Sequence, residues 1–212
     1  STAITMKNKE IQEQRMRGYF IQATKTILKG EGLKSISVRN IADQAGYSYA
    51  TLYNYFKDVN ELIFLCVNDF QEECKSFVAD QTRQTPEGLD KLKAAVMAYI
   101  SYFVEYPGIF DLFFVAQVGD FGNKQSTIDV ISRSLDDVCD SAWNDCVSRN
   151  LLPKENVVSI KNQLNYMVIG LLVLYLNRRT PDSYADFMNH ATGQINYLLS
   201  IGNNDKTNKQ TV

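Results

Sequence analysis

The stretch SVRNIADQAGYSYATLYNYF, Ser37 to Phe56, decides the fold. Its pattern predicts two short helices, over residues 38–45 and 49–55. Gly46 between them suits the left-handed backbone that ends a helix, where a Cβ atom would be costly. Apolar and small side chains at the inward positions specify a sharp helix crossing, as in a helix-turn-helix. They are Ile41, Ala42, Ala45, Leu52 and Phe56.

The outward positions of the same segment carry short polar, aromatic and basic side chains. Such side chains at the start of a recognition helix reach base edges in the major groove, and basic residues beside it contact phosphates. The candidate DNA-binding residues are Arg39, Ser48, Tyr49, Ala50, Thr51, Tyr53, Asn54, Tyr55 and Lys57. The alternative is a plain helical pair in which the tyrosines only pack.

This segment resembles the DNA-binding domain of the TetR/AcrR family of bacterial transcriptional regulators. The resemblance covers residues ~15–65 and lies in five matched features. They are Ile41-Ala42, Ala45-Gly46, Ser48, the run Thr51-Leu52-Tyr53-Asn54-Tyr55-Phe56, and Glu61-Leu62 at the start of the family's fourth helix. Ala50 and Val59 depart from the family, which often has glycine and lysine there. We expect Val59 to affect the affinity for DNA or the choice of operator, and not the fold.

Charge is distributed unevenly along the chain. Residues 1–60 carry nine lysines and arginines against five acidic residues, whereas the other residues carry thirteen against nineteen. A basic N-terminal module on an acidic body suits a protein that touches phosphates at one end only.

The remainder of the chain also shows helical periodicity, which predicts further helices over residues ~87–105, 107–118, 126–150, 154–178 and 182–200, and its prolines lie between these helices or in their first turns. The predicted fold is all-α. A three-helix DNA-binding module over residues 7–60 is joined by the fourth helix to a ligand-binding and dimerisation domain over residues 61–202. Residues 203–212 lack apolar periodicity and are predicted to be a disordered tail.

The resemblance implies that the last two helices form a dimer interface, and their broad apolar surface agrees with this. The candidate interface residues are Leu164, Met167, Val168, Leu171, Leu172, Tyr175, Phe187, Ile195 and Leu198. A twofold dimer would present two recognition helices to an inverted-repeat operator.

Aromatic residues are concentrated in the middle of the chain. They predict either an apolar effector pocket or plain core, and spacing alone does not separate the two. The candidate pocket residues are Tyr99, Tyr102, Phe103, Phe110, Phe113, Phe114, Trp143 and Tyr166.

Composition argues against an enzyme, because a single histidine and the lack of a phosphate-binding loop leave no catalytic constellation. No cofactor or metal site is expected, and the four cysteines are interpreted as reduced packing residues. The apolar run of residues 166–176 is too short to span a bilayer. The expected protein is a cytoplasmic, homodimeric repressor that leaves its operator when a small apolar or aromatic effector binds. A helical ligand-binding or interaction protein of the same fold, without DNA binding, is the alternative.

Overall fold

The computed structural model describes residues 2–117 and 125–204, and within them every regular element is helical. The helices are α1 (Thr2–Glu31), α2 (Val38–Ala45), α3 (Tyr49–Tyr53), α4 (Val59–Gln81), α5 (Leu89–Glu105), α6 (Pro107–Phe110), α7 (Gln125–Ser132), α8 (Ser134–Ser148), α9 (Val157–Leu176) and α10 (Tyr184–Asn204). The all-α class predicted from the sequence is confirmed.

The chain divides into two compact units. The N-terminal unit comprises Ser1–Gln71 and Tyr106–Ile131, and the C-terminal unit comprises Glu72–Glu105 and Ser132–Val212. The first half of α4 therefore belongs to the N-terminal unit. The functional division at residue 60 stays a prediction. Of the predicted tail, residues 203 and 204 belong to α10, and residues 205–212 lie outside the described residues.

The core of the N-terminal unit forms where α1 crosses α2 and α3. Its central side chains are Phe20, Ala23, Ile27, Ile41, Leu52, Phe56 and Leu62, all buried. Gly108 at the start of α6 packs directly on the end of α1. A Cβ atom on Gly108 would lie 2.5 Å from the carbonyl oxygen of Leu28 and 2.6 Å from that of Lys29.

In the C-terminal unit α5 packs against α8, α9 and α10. Helix α5 is buried over most of its length, from Leu92 to Phe103. The second half of helix α9, residues 166–176, is apolar all round, whereas the first half also carries Ser159, Lys161, Asn162, Gln163 and Asn165. Residues 154–176 are long and apolar enough to cross a membrane by composition. Such a helix is also typical of a protein core, and 22% of its most apolar stretch is buried by its own chain.

Two predicted helices differ from the structure. The predicted helix over residues 126–150 is divided at Arg133, and Ser134, the first residue of α8, is buried and accepts a hydrogen bond from the hydroxyl of Tyr99 at 3.0 Å. The predicted helix over 107–118 is a short α-helix that widens into a π-helical turn at Asp111–Val115.

Candidate nucleic-acid interface and ligand-binding region

The turn between α2 and α3 has the backbone that the sequence predicts. Gly46 adopts φ 77° and ψ 27°, in the left-handed region, and its amide bonds back to carbonyls of α2. The hydroxyl of Ser37 accepts a hydrogen bond from the amide of Asn40 at 3.1 Å. Likewise the Ser48 hydroxyl accepts one from the Thr51 amide at 3.1 Å. Both helices are therefore started by serine caps, and their crossing is fixed locally.

The recognition helix α3 divides cleanly into an inner and an outer face. Leu52 is fully buried, and Phe56 just beyond the helix is 2% exposed. On the outer face, Tyr49 is 63% exposed and Tyr53 is 54% exposed. Ala50 and Asn54 are exposed as well. Large aromatic side chains held out in solvent by a rigid helix are available to a partner surface.

The other candidate DNA-binding residues take different positions. Arg39 and Lys57 are exposed, so both are free to reach a phosphate. Tyr55 is half-buried, with its ring 6.2 Å from that of Phe20. The Thr51 hydroxyl lies 2.9 Å from the hydroxyl of Ser48, within the N-cap. Ser48, Thr51 and Tyr55 thus help to hold α3 in place, and their contact with DNA stays a prediction.

A clamp around Arg17 was not foreseen from the sequence. The Arg17 guanidinium donates to the carbonyl oxygen of Tyr55 and to a carboxylate oxygen of Glu61, the latter at 3.0 Å. It also lies over the Phe56 ring, 4.2 Å from the centroid. The second Glu61 oxygen accepts from the Lys57 amide, while Asp58 caps the amide of Glu61. This network joins α1 to the end of α3 and the start of α4. Only the D-x-x-E spacing of Asp58 and Glu61 signalled it in the sequence.

Two exposed tyrosines beside the recognition helix were also missed. The rings of Tyr19 on α1 and Tyr47 in the turn stack at 6.1 Å with an interplanar angle of 23°. Tyr19 is 51% exposed and Tyr47 is 38% exposed. They extend the aromatic surface of α3 onto α1.

In the C-terminal unit, four of the candidate pocket residues form packed interior. Tyr99, Tyr102, Phe103 and Trp143 are all at most 3% exposed. The ring of Phe103 meets those of Tyr99 and Tyr102 edge-on, at 4.9 and 5.4 Å. The indole nitrogen of Trp143 is buried without a hydrogen-bond partner, and the ammonium of Lys161 lies 5.5 Å from the ring.

Burial controls the titration of the groups around this interior. It raises the pKa of the Tyr99 hydroxyl well above its usual value, against the opposing effect of the bond to Ser134. It also raises the pKa of the Cys74 thiol strongly, and that of Cys139 to about 12. These thiols are protonated at neutral pH and are therefore poor nucleophiles and poor metal ligands.

A half-open groove of about 440 Å³ lies among α4, α5 and α8, within the C-terminal unit. Its floor is made of small or short side chains, among them Val78, Ala95 and Ala142, which are nearly fully buried. Lys75 and Lys91 also line the groove. The groove is large enough for part of a small organic ligand.

The remaining candidate pocket residues lie elsewhere. Phe110, Phe113 and Phe114 belong to the N-terminal unit, where their rings pack on one another at 5.3 and 5.9 Å. Tyr166 is 71% exposed on α9, so its placement in an enclosed pocket of the single chain is corrected. The sequence could not show this, because residues 166–176 of α9 are apolar on every side.

The candidate interface residues fall into two groups. Five are buried within the single chain and cannot form a contact surface. These are Leu164, Val168, Leu172, Phe187 and Ile195. The half-buried members are Met167, Leu171, Tyr175 and Leu198. Among residues 157–200, where burial is described, the large exposed apolar residues of α9 and α10 are Val158, Tyr166, Leu174, Tyr184 and Tyr197. The prediction is corrected accordingly: the five buried residues join α9 and α10 to their own core.

Comparison with known proteins finds one matching protein family and a set of solved structures with a similar fold. Residues 20–65 match the model of a family described as bacterial regulatory proteins of the tetR family. A search of curated protein sequences finds no match.

Solved structures match over most of their length. A putative TetR-family transcriptional regulator from Rhodococcus sp. superimposes with a TM-score of 0.64 at 17% identity, covering 88% of this chain and 99% of that one. The regulator FadR from Bacillus subtilis, in complex with stearoyl-CoA, gives a TM-score of 0.66 at 13% identity, over 86% and 97% of the two chains. The superantigen PfiT gives 0.63 at 9% identity, over 85% and 94%. At these identities the likeness shows the fold.

Proposed function

We propose that the chain is a TetR-family regulator, a ligand-responsive repressor that binds an inverted-repeat operator as a homodimer. The match of residues 20–65 to the family's model and the shared fold support this proposal. The observation that carries the proposal is the outer face of α3. Tyr49, Ala50, Tyr53 and Asn54 stand in solvent on a helix that serine caps and a buried leucine hold rigidly. An exposed, fixed helix of this kind fits the major groove.

The dimer is supported by the apolar surface of α9. A helical stretch that is apolar all round, as residues 166–176 are, must be covered on every side, whereas the single chain leaves Tyr166 and Leu174 exposed. Val158, earlier on α9, is exposed as well. A second copy packed about a twofold axis would cover this surface, and the dimer would carry two DNA-binding domains. The interface we propose therefore centres on these exposed residues and their half-buried neighbours.

The effector proposal rests on the C-terminal unit. Its interior is aromatic, its groove has a floor of small apolar residues, and FadR, which shares the fold, has been crystallised with stearoyl-CoA. We propose a small apolar or aromatic effector that binds this unit and releases the operator. Release requires that the effector bind the DNA-free conformation more tightly than the DNA-bound one. The protein would act in the cytoplasm, where its operator lies.

An interaction protein without DNA binding is the second candidate. The structure of the superantigen PfiT has the same fold, so the fold alone does not decide between the two. The outer face of α3 distinguishes the two candidates: a repressor uses its side chains to contact bases, whereas an interaction protein does not.

Selection of duplexes from a random-sequence pool tests the proposal with the purified chain. We expect an inverted repeat to be enriched, with an affinity that falls steeply as salt rises. Asn54→Ala should weaken binding to the selected site by about 1–3 kcal/mol, since a lost base contact has that effect. Thr192→Ala, an exposed control on α10, should bind like the wild type. Failure to enrich any sequence, or binding that ignores salt, would favour the interaction protein.

A further inference from the structure

The first half of α1 extends beyond the core of the N-terminal unit. The buried residues of α1 begin at Phe20, and every residue from Lys7 to Tyr19 is exposed or half-buried. The helix is nevertheless continuous from Thr2 to Glu31. The core of the unit therefore does not require the stretch from Lys7 to Arg15, which is exposed throughout, whereas Met16 packs against that core and Arg17 lies in the clamp.

One face of the exposed half is polar and carries one arginine. Asn8, Gln12, Arg15 and Tyr19 follow the spacing i, i+4, i+7, i+11, which places them on a single side of a helix. All four are exposed, and we name them the α1 stripe. The acidic residues Glu10 and Glu13 fall on other sides of the helix. Arginine, asparagine, glutamine and tyrosine are side chains with which proteins contact DNA phosphates.

The α1 stripe is continuous with the recognition surface. Tyr19 at its end stacks on Tyr47, which directly precedes the N-cap of α3. Tyr47 also packs on the buried ring of Phe20, at 5.7 Å between centroids. The junction between the stripe and the recognition helix is thus anchored in the core.

Two neighbouring arginines of α1 have different surroundings. Arg17 is held by Tyr55 and Glu61 in the clamp described above. Arg15 is exposed on the stripe, two residues earlier. Charge complementarity with DNA at this surface therefore depends on Arg15.

We propose that the α1 stripe is a second DNA-contact surface, which binds the phosphate backbone flanking the bases read by α3. The inference rests on the proposed function, because it assumes that α3 lies in a major groove. From Asn8 to Tyr19 the stripe measures about 16 Å, at ~1.5 Å per residue. This length corresponds to about five base pairs of duplex beyond the core site.

The experiment compares two duplexes that contain the selected inverted repeat. One ends at the repeat, and the other continues for about five base pairs on each side. Affinities of the wild type and Arg15→Gln are measured on both as a function of salt. Arg179→Gln is the control, because it changes the net charge equally at an exposed residue of the C-terminal unit. Thermal unfolding verifies that each variant is folded.

We expect the wild type to prefer the long duplex and Arg15→Gln to lose most of that preference. Loss of one phosphate contact per chain lowers the salt slope on the long duplex by about two per dimer. Over a fourfold rise in salt, the wild type should then lose about tenfold more affinity than Arg15→Gln. Asn8→Ala with Gln12→Ala should reduce the preference without changing the slope, since neither side chain is charged.

Other outcomes overturn the inference in distinguishable ways. Equal salt slopes for the wild type and Arg15→Gln on the long duplex would show that the stripe does not contact phosphates. If Arg15→Gln lost equal affinity for both duplexes, Arg15 would instead contact DNA within the repeat or support the folded structure. If the wild type binds no duplex at all, the proposed function fails, and the inference fails with it.

Discussion

At the scale of single residues, the turn between α2 and α3 requires glycine for its backbone conformation rather than for lack of room for a side chain. Gly46 has φ 77°, yet a Cβ atom added there would meet nothing within 4 Å. An alanine would therefore fit sterically but would be strained by the left-handed backbone. Gly18, in the middle of α1, also has open space around it, without a positive φ. Since both positions have room for a methyl group, any difference between alanine substitutions at Gly46 and Gly18 reports the backbone conformation and not a steric clash.

We expect Gly46→Ala to lower the free energy of unfolding by about 1–2 kcal/mol, because alanine disfavours the left-handed region. Gly18→Ala should raise it by about 0.5–1 kcal/mol, since alanine is the better residue within a helix. Urea unfolding of both variants, followed by circular dichroism, measures the two changes. Changes of the same sign would contradict the argument from φ.

Asp136 in the first turn of α8 is a second residue whose surroundings act on stability. Burial is the main cause that raises the pKa of its carboxyl, with Asp137 and Asp140 adding to it and Lys161 opposing it. A raised folded-state pKa means that protonated Asp136 favours folding. This contribution is complete below the unfolded-state pKa and is lost as pH rises through the folded-state value. At neutral pH the ionised carboxylate therefore destabilises the folded chain.

Asp136→Asn should accordingly raise the midpoint of thermal unfolding at pH 7 by about 1–2 °C, the modest value reflecting partial exposure. The gain should vanish below about pH 4, where aspartate is protonated in either state. Asp137→Asn is the matched control, since Asp137 lies in the same helical turn but is exposed. It should give no gain, and a gain of the same size there would point to general charge repulsion instead.

At the scale of elements, the sequence was most informative where the determinants are local. The caps at Ser37 and Ser48 and the turn at Gly46 are set within a few residues, and α2 runs over the predicted span. The division of the predicted helix 126–150 at Arg133 was missed, and the buried bond between Tyr99 and Ser134 beside it joins residues 35 positions apart. Pairing over such a distance leaves no trace in the periodicity of one segment.

Helix α6 illustrates how tightly one element can be held by a single glycine. The contact of Gly108 with the carbonyl oxygens of Leu28 and Lys29 leaves no room for a methyl group. Gly108→Ala should force α6 away from the end of α1 and destabilise the protein by about 1–3 kcal/mol, as overpacking does. Chemical denaturation measures this loss. Gly193→Ala on α10, where space is open, should be neutral or stabilising, and an equal loss in both variants would refute a steric cause.

At the scale of the whole molecule, the sequence predicted the fold and the exposed face of α3 better than the interfaces. The second half of α9, residues 166–176, is apolar all round, so its periodicity does not tell which side faces the protein's own core. Leu164 and Val168 were therefore assigned to a partner although they are fully buried in one chain. The clamp around Arg17 was missed for a related reason, since its partners lie 38 and 44 residues away. The burial of Leu164 and Val168 and the contacts of Arg17 are both set by tertiary packing, which local sequence periodicity does not show.

The corrected interface leads to a prediction about assembly. If the exposed side of α9 contacts a second copy, Tyr166→Glu would bury a charge at the twofold interface. A buried unpaired charge costs several kcal/mol, so the dissociation constant of the dimer should rise at least about a hundredfold. Sedimentation velocity over a range of concentrations measures this, and the melting temperature of the wild type should depend on concentration while that of the variant should not.

Val115→Glu provides the control for that experiment, because Val115 is also an exposed apolar residue, 51% exposed, but belongs to the N-terminal unit. It should leave the dimer intact. Tyr166→Glu should in addition lose most of its preference for an inverted repeat over a single half-site, since a monomer carries one recognition helix. A Tyr166→Glu protein that stays dimeric would place the interface on another surface, whereas a monomer that still prefers the inverted repeat would separate operator recognition from this dimer.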